Sequence, residues 1–215
     1  ASNNTAVGRN ALGANTTGVQ NTALGSLALV TNTTAANNVA IGFESLKLNT
    51  SGTQNTAVGT YSLDSNTTAN NNTALGYATL AANTTGANNT SVGAFSGDAI
   101  TTGNNNISMG VLSLSANTTG SSNTALGRDC LENNTTASNN TGVGYLALQQ
   151  NTTGADQVAV GKKALGANTT GGANTAVGVN CMQACTTGNN NTGLGNSSFD
   201  DLTTGSQNVA VGQDA

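Results

Sequence analysis

The sequence predicts an all-β chain, a parallel β-solenoid with one 17-residue coil per repeat and about 12 coils. Three observations lead there. An apolar residue followed by glycine falls at Gly8, Gly25, Gly42 and Gly59, and continues at the same interval to Gly212 without insertion or deletion. The composition is that of a repeat: 35 Asn, 36 Thr and 28 Gly among 215 residues, with no Pro, His or Trp. Within each unit residue types alternate instead of following a helical stripe. A pair of helices needs roughly 33 to 47 residues and a propeller blade about 40. The unit instead suits short strands, rising about 3.3 Å per residue, joined by tight corners.

The consensus unit N-T-A-V-G-x-x-A-L-x-x-N-T-T-G-x-x can be taken in order. Over Asn4–Gly8, Thr5 and Val7 share one face of a strand, and Asn4, Ala6 and Gly8 share the other. The Val7 column, with Leu24, Ile41 and Val58, holds only Val, Leu, Ile and Met and reads as core. The Thr5 column admits Val39, Ile107, Val158 and Val209 and reads as buried beside it. The Ala6 column holds only Ala, Ser and Gly, so something approaches it closely. Leu12, Leu46 and Leu63 mark a second core column, broken by Gly97, where Phe95 is expected to refill the lost volume. Asn15, Asn32, Asn49, Asn66 and Asn83 head a column in which Ile100, Cys185 and Leu202 also occur. Apolar replacement points to an inward Asn ladder bonded along the axis, with a solvated turn as the alternative. The glycine columns read as corners. With rungs about 4.7 to 4.9 Å apart, the expected product is a rod on the order of 55 to 60 Å long.

The same inventory excludes function classes. No stretch approaches a membrane-spanning helix. Five basic residues in a chain of net charge -4 give no footprint for nucleic acid. Without His, and with scattered carboxylates, the chain reads as no enzyme, with no catalytic site, metal or cofactor. Asp64, Asp98, Glu132 and Asp200 share a column with Lys47 and Gln149, which reads as a solvated edge. Cys130, Cys181 and Cys185 read as buried thiols, and a Cys181–Cys185 bridge stays open as an alternative. Nine Asn15-column copies match the N-glycosylation pattern, discounted because a ladder has its own need for Asn. Both ends fall inside the repeat pattern, so residues 1–215 read as one continuous solenoid from a longer array.

The units N-T-A-V-G (4–8, 55–59, 174–178), N-T-A-L-G (21–25, 72–76, 123–127) and N-V-A-I-G (38–42) resemble the head repeats of YadA-type trimeric autotransporter adhesins. They are still more similar to N-T-A-V-G…N-T-T-G arrays of phage tail fibres and bacterial surface fibres. The resemblance implies a left-handed β-roll, three chains side by side with the Ala6 column against the trimer axis, and an extracellular role in attachment. A cell-surface glycan or protein receptor is then the expected partner, beside the chain itself as homotrimer or end-to-end stack. The expected contact surface follows each core glycine: Phe43, Tyr61, Tyr77, Phe95 and Tyr145. Two other functions stand beside this one. One is ice binding, because Thr16, Thr33, Thr50, Thr67, Thr84, Thr101, Thr118, Thr135, Thr152, Thr169, Thr186 and Thr203 form a regular column resembling the faces of β-solenoid antifreeze proteins. The other is a self-assembling extracellular filament built from open strand edges.

Overall fold

The computed structural model describes residues 2–215. It is an all-β parallel solenoid whose coils each carry one three-residue strand, from β1 (Thr5–Val7) and β2 (Thr22–Leu24) to β13 (Val209–Val211). Strands β1 to β6 (Thr90–Val92), and separately β7 (Ile107–Met109) to β13, pair in parallel in strict chain order, the first pair in the register Thr5↔Thr22, Ala6↔Ala23, Val7↔Leu24. No helix occurs among the described residues. The coils fall into two compact units, one ending at Asn106 and one running Ile107–Ala215. Both are built the same way.

Backbone pairing between successive coils extends well beyond the strand. Thr5 N–H donates to Asn21 O at 2.8 Å, Gly25 N–H to Val7 O at 2.8 Å and Leu12 N–H to Ala28 O at 3.0 Å. Between these rungs the chain turns with three left-handed residues per coil, at the Asn3, Asn10 and Leu12 positions, with φ near 60, 57 and 53°. Asn tolerates that region, whereas Leu there is strained by about 1–2 kcal/mol. The strain persists because it aims the leucine into the coil. Gly8 and its equivalents have φ between 125 and 145°. A Cβ on Gly8 would also meet the Gly25 carbonyl carbon at 2.6 Å, so this column admits no side chain.

The interior holds small and polar side chains around a leucine row. Leu46 and Leu63 are fully buried, and Leu12 nearly so at the first coil. Opposite them lies the Ala6 column, with Ala23, Ala40 and Ala57 fully buried. The strand face is therefore inverted relative to the sequence expectation. Val7 is 57% and Leu24 46% exposed, while Ile41 and Val58 are only half-buried. The Thr5 column turns outward with them. The physical reason is width. A Cβ on Gly142, in the Ala6 column, would already sit 3.5 Å from Leu131 Cδ1, and one on Gly193 would sit 3.3 Å from Met182 Cε. A coil this thin has no room for Val opposite Leu. The Ala6 column thus packs inside its own coil and does not face another chain.

Two Asn ladders line the interior. In the Asn15 column, Asn32 Nδ2 donates to Asn15 Oδ1 at 3.0 Å, Asn49 to Asn32 at 3.2 Å, Asn66 to Asn49 at 2.9 Å and Asn83 to Asn66 at 3.0 Å. The second ladder uses Asn4, and sequence reasoning missed it. Asn4 Oδ1 accepts the Asn21 backbone N–H at 2.8 Å and Asn21 Oδ1 accepts that of Asn38 at 3.0 Å. Both ladders converge on one carbonyl per coil: Gly18 O accepts Asn4 Nδ2 at 2.9 Å and Asn15 Nδ2 at 3.1 Å. The signal was present, because the Asn4 column is Asn in every copy but Gln157 and shares a strand face with the restricted Ala6 column.

Candidate functional site

Three surfaces are candidates for function, and sequence reasoning marks only the second and third, having read the first as core. The first is the outward strand face. Each three-residue strand presents its first and third side chains to the outside, about 6.6 Å apart along the strand and about 4.8 Å between rungs. In the first unit this brings out Val7, Leu24 and Leu75, and in the second Ile107, Met109, Val177, Leu194, Val209 and Val211. Rows of exposed Val, Leu, Ile and Met with interspersed Thr make an apolar strip, a feature that marks association surfaces on soluble proteins.

The second surface is aromatic. Phe43, Tyr61, Tyr77 and Phe95 sit on four successive coils and alternate between two neighbouring turn positions. Ring centroids lie 5.6, 6.0 and 5.2 Å apart at interplanar angles of 83, 81 and 76°, a continuous edge-to-face chain. Phe43, Tyr77 and Phe95 remain exposed, Tyr77 the most at 48%. Phe95 packs on Tyr77 outside the coil and does not refill the space at Gly97. The same coil instead brings the fully buried Ile100 inside. Tyr145 is exposed and has no ring partner among the described residues.

Charged groups border this aromatic row. Lys47 Nζ bonds Glu44 Oε2 at 2.9 Å, and that hydrogen bond raises the ammonium above its usual pKa. Burial pushes the Asp64 carboxyl above the usual carboxylate range, against the lowering pull of Lys47. Burial likewise raises Asp98, partly offset by its own backbone N–H and that of Ala99. Each carboxylate keeps one buried oxygen without a hydrogen-bond partner. The column expected as a solvated edge is therefore half-buried at these two coils.

The third surface is the Thr-Thr corner. Thr16 Oγ1 donates to Thr33 O at 2.9 Å, Thr50 to Thr67 O at 3.1 Å and Thr135 to Thr152 O at 3.0 Å. The hydroxyl protons of this column are committed to the backbone of the next coil. The neighbouring threonines, such as Thr17, Thr34 and Thr68, are exposed, as are Thr16 and Thr50 in the bonded column. The Asn of the N-T-T acceptor pattern is buried from Asn32 onward wherever it occurs, so its amide is closed to glycan transfer.

Cys130, Cys181 and Cys185 are all free and buried. Burial pushes the Cys130 thiol up to about 12 and raises the other two. No group of three or more His, Cys, Asp or Glu able to hold a metal occurs among the described residues. No protein-family model, curated protein or solved structure matches this chain.

Proposed function

We propose that the chain is a structural and adhesive fibre segment. It associates side by side with copies of itself, as a homotrimer, through the outward strand face, and it attaches to a cell surface through its aromatic row. The observation that carries this reading is the inversion of the strand. Val, Leu, Ile and Met face outward along the strand, while Ala and Asn pack inside with the leucine row. Such a strip loses hydration cost at about 25 cal/mol per Å² once covered by a second chain. The location that goes with this role is extracellular, on a cell surface or a virion fibre.

The test is mass in solution by light scattering on the purified chain. A mass of three times 21.0 kDa supports the reading. Replacing Val58, Leu75 and Val92 together with Lys then gives a folded monomer, because these side chains point away from the core. A wild-type chain that stays monomeric at high micromolar concentration overturns it. Attachment is checked separately. Tyr61→Ala with Tyr77→Ala removes the two middle rings and abolishes binding to cells, with the trimer intact.

A further inference from the structure

The second unit contains a notch that belongs to none of the surfaces above. Gln149, Gly166 and Gln183 occupy the same repeat position on three successive coils. Glycine at the middle coil interrupts that row and opens a cavity of about 180 Å³ between the two glutamines, closed further by Leu146, Gln150 and Lys163. This is below the roughly 300 to 1,000 Å³ of sites for drug-sized ligands, and fits a single small ring.

The polar groups around it are uncommitted in a particular pattern. The ion pairs among the described residues are Lys47–Glu44 and Arg128–Asp129, so Lys163 has no carboxylate partner. Gln149 spends its Nε2 on Glu132 Oε2 at 2.8 Å, which leaves its Oε1 as an acceptor. Gln150 Oε1 accepts from Asn133 Nδ2 at 3.3 Å, which leaves its Nε2 as a donor. Gln183 keeps both ends of its amide. One cation, amide donors and acceptors, and an apolar wall from Leu146 and the lysine stem converge on one opening.

We propose that this notch binds one carboxylate-bearing sugar, a residue of the uronic acid class. The Lys163 ammonium takes the carboxylate in a charge-assisted hydrogen bond. The Gln149 oxygen and the Gln150 and Gln183 amides take ring hydroxyls, and the Leu146 wall takes a C–H face. A bare oxyanion would take the lysine and the amide N–H groups but would leave the Gln149 oxygen without a donor and the Leu146 wall without a C–H face. The site stands whether or not the chain trimerises, because its residues lie in the turn and off the strand face.

The experiment is an NMR titration of the full chain with D-glucuronate, D-glucose and inorganic sulfate, reading the side-chain amide signals of Gln150 and Gln183. Glucuronate saturates these shifts, and glucose and sulfate each bind at least tenfold more weakly. Lys163→Met weakens glucuronate by roughly tenfold or more, the scale of one charge-assisted bond. Gly166→Gln fills the notch with the residue type its two neighbouring coils already carry, so the fold is kept and binding is lost. Equal binding of glucose, equal binding of sulfate, no saturable shift, or full binding by Gly166→Gln would each overturn the proposal.

Discussion

Gly142 and Gly193 are the two glycines in a column otherwise held by Ala and Ser, and each follows a cysteine by twelve residues. The reason is steric. A Cβ on Gly142 would meet Cys130 Sγ at 2.5 Å, and one on Gly193 would meet Cys181 Sγ at 2.8 Å. Elsewhere the same pair of positions is Ala28 with Ala40, or Ala147 with Ala159. Each coil thus matches volume against the next. Gly142→Ala alone should cost about 1–3 kcal/mol by overpacking. Cys130→Ala with Gly142→Ala should recover most of that, since it rebuilds a pair already present. Urea unfolding of the two single variants and the double gives the coupling energy, and strictly additive effects would contradict the match. The thiols make a second prediction. With its pKa pushed up to about 12 by burial, Cys130 holds almost no thiolate at pH 8. A disulfide reagent should leave it unlabelled until urea opens the chain, and prompt labelling of the native protein would show the interior to be open.

At the scale of the coil, Asp64 and Asp98 are half-buried carboxylates, each with one oxygen unpartnered. Burial raises both above their ordinary values, so the folded state favours their protonated forms. The sign is the reverse of a salt-bridged carboxylate. Ionisation of these groups destabilises the fold at neutral pH, and that penalty fades as pH falls through the raised values. Asp64→Asn with Asp98→Asn should therefore raise the melting temperature at pH 7 and change it little at pH 3. A larger gain at pH 3 than at pH 7 would refute this. The coil also shows what the sequence could and could not tell. Its period was legible because every unit has one length, and the leucine row was legible because Leu is nearly constant there. Alternation told which residues share a strand face, but not which face is inside. Hydrophobicity pointed to Val7, whereas narrowness decides for Ala6 and Asn4. The informative sign was restriction: the column that tolerates nothing above Ser is the one with a wall opposite it. The notch at Gly166 stayed hidden for a different reason. It arises from three residues on different coils, each unremarkable in its own unit.

Across the molecule, nearly every inter-coil bond joins residues 14 to 18 positions apart, as from Asn21 to Asn4 or from Thr16 to Thr33. Such a network has low contact order, so coils can add one after another from any formed pair. Damage should stay local as well. Asn66→Ala removes an acceptor from Asn83 and a donor to Asn49 and Ala69, a loss of about 1–3 kcal/mol. Amide exchange should rise in the adjoining coils and stay unchanged in residues 107–215, and global acceleration would contradict a nearest-neighbour architecture. The equal spacing of all these bonds also creates an ambiguity. A growing end could skip one whole unit and still find the same acceptors waiting, at a loop-closure cost on the order of only 2–3 kcal/mol for seventeen residues. What such an error cannot reproduce is the match of large to small. Cys130 would then face Ala159 in place of Gly142, and Cys181 would face Ala210 in place of Gly193. These few irregular pairs work as proofreading marks in an otherwise uniform text, and an array stripped of them would count its own turns less faithfully as it folds.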